Sequence, residues 1–168
     1  TIAVRAGGDA GRLAQLLAGL PQPQVAPLDE RGCNILVAGI GGTGVVTIGA
    51  LRGMAAHLDH KGCTVLDMTG MAQKGGAVTS HIRIGPDPAG IYSSRLGEGM
   101  SDVLIACDLV VASGAAVLKT VRPGHTAAIL NSDVAPTGAF QTDRHLDLGD
   151  ARLRAAILQA IDGGPAFD

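Results

Sequence analysis

The chain has 168 residues, 46% of them hydrophobic and 17% charged, with a formal net charge of −2 and a mean hydropathy of +0.30; this suits one globular domain with a sizeable core and excludes a disordered segment. Near-neutral charge without a lysine or arginine run excludes a nucleic-acid groove, and Tyr92, Phe140 and Phe167 as the sole aromatics leave no base-stacking platform. The longest apolar stretch, 103–118, is broken by Asp108, Ser113 and Gly114 and is too short for a bilayer span, so neither nucleic acid nor membrane is an expected partner, and scattered cysteines with no secretory pattern point to a reducing cytoplasm.

In chain order, Leu13, Leu16, Leu17 and Leu20 predict a short helix over 9–20, and Pro21, Pro23 and Pro27 then predict an extended linker. A boundary near Arg31 separates 1–31, a helix and linker belonging to a preceding region, from an α/β domain over 32–168. The apolar run 34–38 predicts a strand buried on both faces. A helix over 45–61 follows, with Val45, Ile48, Leu51, Ala55 and Leu58 as its inward stripe and Gly62 as its stop.

Strands are predicted at 63–67 and 78–84. In the second of these, Val78, Ser80, Ile82 and Ile84 alternate with Thr79, His81 and Arg83, the pattern of a half-exposed strand with His81 and Arg83 on its solvated face. A short strand at 91–96 is expected to form a hairpin with it. Further on, 102–106 predicts a strand, Asp108 the N-cap of a helix over 109–121, 126–131 a strand, 135–138 a loop, and 150–161 a helix ended by Gly163-Gly164-Pro165. The alternation predicts an α/β fold, a three-layer α/β/α sandwich with a Rossmann-like, mostly parallel sheet and an antiparallel hairpin.

Residues 39–44 fit G-x-G-x-x-G between a buried strand and a helix. The glycines Gly39, Gly41, Gly42 and Gly44 allow a tight turn and close backbone approach, the helix start favours a phosphate or carboxylate, and Thr43 adds a candidate hydroxyl donor. Asp67 ends the second strand, where a dinucleotide-binding domain keeps the acid that accepts from a ribose hydroxyl, so NAD(P) or another nucleotide is one candidate ligand. Glycines that serve helix–sheet packing alone are the other reading. Lys74, between Gln73 and Gly75-Gly76, is a candidate partner for a phosphate or carboxylate. His57 and His60 share a helix face without a third ligand nearby, and Cys33, Cys63 and Cys107 lack any C-x₂-C spacing. No metal ligand and no catalytic residue is therefore assigned, and the cysteines are read as buried thiols.

Three motifs in order, GIGGTGVVT at 39–47, DMTGMAQKGG at 67–76 and VTSHIRI at 78–84, resemble the gamma domain of 2-oxoacid:ferredoxin oxidoreductases, the pyruvate/ketoisovalerate oxidoreductase catalytic-domain family. The Gln-Lys-Gly-Gly variant is similar to the indolepyruvate ferredoxin oxidoreductase branch in its large fused form. The resemblance implies part of a thiamine-diphosphate-dependent enzyme that oxidatively decarboxylates indolepyruvate-like 2-oxoacids to acyl-CoA, with electrons passing to ferredoxin. It places thiamine diphosphate, Mg²⁺ and iron–sulfur clusters on other domains or subunits, which become the implied partners, and gives this domain a structural or coenzyme A-side role. The implied cofactor-binding residues are Gly39, Gly41, Gly42, Thr43, Gly44, Asp67, Thr69, Gln73, Lys74, Gly75 and Gly76. Relatives of this kind continue past the position of Ile161, so the domain is expected to be C-terminally incomplete and to self-associate through a face that is normally covered.

Overall fold

The computed structural model describes residues 18–19, 28, 30–70, 76–132 and 149–168. Its elements are β1 (Cys33–Ile40), α1 (Val45–Leu58), β2 (Gly62–Thr69), β3 (Ala77–Gly85), β4 (Val103–Ala106), α2 (Leu109–Ala112), α3 (Ala115–Leu118), β5 (Ala127–Leu130), α4 (Asp150–Ile161) and β6 (Ala166–Phe167). The helix and linker expected before residue 28, and the loop at 135–138, lie almost wholly outside the described residues.

The strands form one sheet in the order β2-β3-β1-β4-β5-β6. β3 runs antiparallel to both β2 and β1, and the remaining pairs are parallel. Period-2 alternation divides the core between the two faces. Ile35 and Val37 of β1 join Val45, Val78 and Ile82 under α1, while Leu36 and Ala38 join Leu104, Leu109, Ile157 and Ile161 under the later helices. This is the three-layer arrangement with a mostly parallel sheet.

The antiparallel hairpin is β2–β3, not a pairing of β3 with 91–96, which forms no strand. β3 is hydrogen-bonded on both edges and so is central in the sheet. The 91–96 segment meets the face that carries His81, which is buried and accepts a hydrogen bond at Nδ1 from the Leu96 N–H (3.1 Å), so its expected place on a solvated face is corrected. The 91–96 segment spends its polar backbone on such contacts; Ser93 O accepts from Arg83 Nη1 (2.9 Å).

α1 stops at Leu58, before the expected Lys61. His60 adopts φ 56, and His60 N–H to His57 O (3.0 Å) with Lys61 N–H to Ala56 O (2.8 Å) closes the helix end. Its inward stripe is also different. Val45, Gly49 and Ala56 are buried, whereas Leu51 and Leu58 are 65% and 70% exposed and Ala55 is exposed. Small residues face the sheet because they let the helix axis approach it. The helix expected over 109–121 divides into α2 and α3, since Gly114 takes an extended conformation (ψ 143) between them. Asp108 caps α2 as expected, accepting from Val111 N–H (2.9 Å). The two-residue β6, parallel to β5, had no counterpart in the sequence reading.

Candidate functional site

β1 leads through α1 to one side of the sheet, while β4 continues through α2 and α3 to the other. The carboxyl ends of β1 and β4 therefore flank the point where the winding reverses, the place where open α/β sheets hold ligands. A crevice of about 500 Å³ opens there, lined by Thr43, Cys107, Asn131 and the apolar ends of β4 and β5.

The glycine loop forms one wall. Gly39 is packed so tightly that a β-carbon would stand 2.5 Å from Thr43 Oγ1 and 2.9 Å from Cys107 Cβ. Gly42 and Gly44 take φ 100 and 88, a conformation that costs other residues about 1–2 kcal/mol. Thr43 spends its hydroxyl proton on the turn, donating to Ile40 O (2.7 Å), so it is not the spare donor the sequence suggested. The backbone N–H groups of Gly42, Gly44, Val45 and Val46 precede the first intrahelical bond, Ile48 N–H to Gly44 O (2.9 Å), and the helix start favours negative charge beside them.

Among the described residues, the second predicted loop meets the first where Gly41 N–H donates to Gly76 O (2.9 Å). Gln73, Lys74 and Gly75 lie outside the described residues. Asp67 and Thr69 are exposed on β2, with β3 interposed between them and β1. Two strand spacings, about 10 Å, thus separate Asp67 from the glycine loop, and its Oδ1 lies beside Gly49 of α1, 3.4 Å from where a β-carbon there would be. The ribose-binding acid of a dinucleotide fold sits on the strand next to the glycine loop; that strand here is antiparallel β3.

Sequence reasoning missed Cys107 and Asn131 as crevice residues. Each directly follows an apolar strand, the signal that marks the carboxyl edge. They are linked by Asn131 Nδ2 donating to Cys107 O (3.2 Å). Burial, then the nearby Asp108 carboxylate, pushes the Cys107 thiol above the usual range, so it is a neutral thiol at neutral pH and not a thiolate nucleophile. Burial likewise raises Cys33 and Cys63. These two flank Ile84 in the sheet register, at the end of the sheet remote from Cys107. The described cysteines therefore do not fit an iron–sulfur cluster, and no group of three or more His, Cys, Asp or Glu side chains suited to a metal occurs among the described residues.

Residues 34–162 match the family described as pyruvate ferredoxin/flavodoxin oxidoreductase. Indolepyruvate oxidoreductase subunit IorB of Thermococcus kodakarensis is 32% identical over 98 residues, 54% of this chain and 47% of that protein. The IorB subunit of Methanothermobacter thermautotrophicus is 31% identical over 103 residues, 61% of this chain and 49% of that one. The chain thus spans about half the length of the curated relatives it matches. Two solved structures share the fold. Pyruvate oxidoreductase subunit PORC of Thermotoga maritima aligns with TM-score 0.52 at 16% identity, over 81% of this chain and 60% of that one. The 2-oxoglutarate:ferredoxin oxidoreductase of Magnetococcus marinus, solved with 2-oxoglutarate, coenzyme A and succinyl-CoA bound, aligns with TM-score 0.53 at 15% identity, over 83% and 34%. With a match over most of its length, a sheet of the same fold and the glycine loop at the switch point, the chain belongs to the pyruvate ferredoxin/flavodoxin oxidoreductase family.

Proposed function

We propose that residues 32–168 form the gamma-type domain of a thiamine-diphosphate-dependent 2-oxoacid:ferredoxin oxidoreductase acting on indolepyruvate-like substrates, and that this domain forms the coenzyme A side of an active site completed by other domains or subunits. The family match over 34–162 carries this reading, and the relatives named as indolepyruvate oxidoreductase subunits support the substrate class. In that reaction the 2-oxoacid loses carbon dioxide, two electrons pass to ferredoxin, and the acyl group is transferred to the coenzyme A thiol. Thiamine diphosphate, Mg²⁺ and iron–sulfur clusters belong to the partner domains. This chain contributes the helix-start N–H groups of Gly42, Gly44, Val45 and Val46, with Lys74 of the Gln-Lys-Gly-Gly motif, as receptors for coenzyme A phosphates.

Calorimetric titration of the chain with coenzyme A, beside NAD, tests this, together with the coenzyme A KM of the complete enzyme carrying Lys74→Ala. Heat with coenzyme A alone, or a raised KM for the variant, supports the reading. Heat with NAD alone replaces it by a nucleotide-binding function. Silence from both with an unchanged KM reduces the domain to a docking role.

A further inference from the structure

A second cleft lies at the other end of the sheet from the glycine loop. It has a volume of about 610 Å³ and is lined by Arg31, Arg83, Arg122 and His125, with Asp102 among them and Met100 on its wall. These side chains come from separate segments, the start of β1, the end of β3, and the turns before β4 and β5, brought together by the Asn34–Arg83 pairing and by Asp102 N–H donating to Asn34 O (2.9 Å).

Asp102 is the one acid lining the cleft, and it is already engaged: it accepts from Asn34 N–H (2.8 Å) and meets His125 Nε2 (2.9 Å) and Arg122 Nη2 (3.5 Å). Arg83 is held in place by two neutral acceptors, Asn34 Oδ1 for its Nε (3.1 Å) and Ser93 O for its Nη1 (2.9 Å). Its guanidinium plane is thereby fixed while no carboxylate among the described residues neutralises it. A preoriented guanidinium with an unopposed charge is suited to a phosphate or carboxylate group. Arg122, with about half its side chain exposed, lies on the same cleft, paired with Asp102 at 3.5 Å through Nη2 alone.

We propose that this cleft binds a small organic anion through a phosphate or carboxylate group, with Arg83 as its principal ligand and Arg122 assisting from the rim. Its volume falls in the range of small-molecule sites, and the fixed guanidinium of Arg83 favours a compact ligand over an extended acidic surface. The site stands apart from the coenzyme A reading, since the eight residues of β1 separate the two ends.

The test is calorimetric titration of the full chain at low ionic strength with inorganic pyrophosphate and, separately, citrate; the tighter of the two assigns the ligand as phosphate- or carboxylate-bearing. Arg83→Gln and Arg122→Gln are each expected to weaken binding roughly tenfold. Arg154→Gln, which removes the same charge from α4, serves as the control and should change binding less than twofold. Arg122 is a surface residue, so its variant keeps the test decisive if Arg83→Gln fails to fold. No binding of either anion, or equal weakening by Arg154→Gln, would overturn the proposal. So would tighter binding of a poly-glutamate peptide than of both small anions, which would make the cleft a protein-docking surface.

Discussion

Gly49 of α1 faces Ser80 of β3 so closely that a β-carbon at position 49 would stand 2.5 Å from Ser80 Oγ. Ser80 is fully buried, and its hydroxyl has no hydrogen-bond partner among the described residues. Gly49→Ala is expected to destabilise the protein by about 1–3 kcal/mol through overpacking, in spite of alanine's better helix propensity. Ser80→Ala removes both the crowding oxygen and an unpaired buried hydroxyl, and is expected to stabilise by about 1 kcal/mol. Urea unfolding of the two single variants and the double variant checks the coupling. Strictly additive energies would show that these two positions do not crowd each other.

His81 supplies a pH dependence. Burial first, and the nearby Arg95 charge second, hold its pKa below the ordinary 6.5. Protonation would also turn Nδ1 from an acceptor into a donor facing the Leu96 N–H. The unfolded chain takes up this proton near its ordinary pKa while the folded protein resists it. The stabilisation is thus fully present above pH 6.5 and is lost as the pH falls from there through the lowered folded value. Melting curves below pH 6.5 should show a steeper fall in Tm for the native protein than for His81→Gln. Parallel profiles would remove His81 from the account.

On α1, Leu51→Gln and Leu58→Gln should leave monomer stability within about 0.5 kcal/mol, because both side chains are largely exposed. Val45→Ala, at a buried position, should cost about 1–3 kcal/mol. The reverse order in chemical denaturation would restore the leucine stripe. The same exposed face also carries Met54, and it is the place to test self-association of the chain. Sedimentation should show any concentration-dependent dimer diminished by Leu51→Glu.

Asp108 accepts from Val111 N–H through Oδ1, while its buried Oδ2 has no partner among the described residues. Asp108→Ala is expected to destabilise by about 1 kcal/mol through loss of the cap, whereas Asp108→Ser, which keeps a capping oxygen, should lose less than half of that. Thermal unfolding of both variants decides it, and equal losses would show that the cap is not what Asp108 contributes.

The glycine loop, α4 and the cap at Asp108 were legible because each is a local signal, complete within at most a 12-residue stretch of chain. Position 81 was not. The alternation of 78–84 reads the same whether its polar face is open or covered, and here the cover at His81 comes from Leu96, 15 residues further along the chain. On α1, hydropathy selected Leu51 and Leu58, but the sheet selected Gly49, Gly53 and Ala56, whose small size permits close contact; a β-carbon on Gly53 would already lie 3.1 Å from Val65 Cγ2. Cys107 and Asn131 reach the crevice only through strand order, which no short motif encodes.

The position of β3 also bears on how the sheet assembles. β2 and β3 are neighbours in sequence and pair along their whole length, so this margin closes at small loop-entropy cost. Joining β1 to β4 brings together backbone as far apart as Asn34 and Asp102, 68 residues along the chain. Long-range parallel pairing of this kind is slow. The hairpin is therefore the expected early structure, and closure of the parallel half, which creates both the crevice and the basic cleft, is the step expected to set the folding rate.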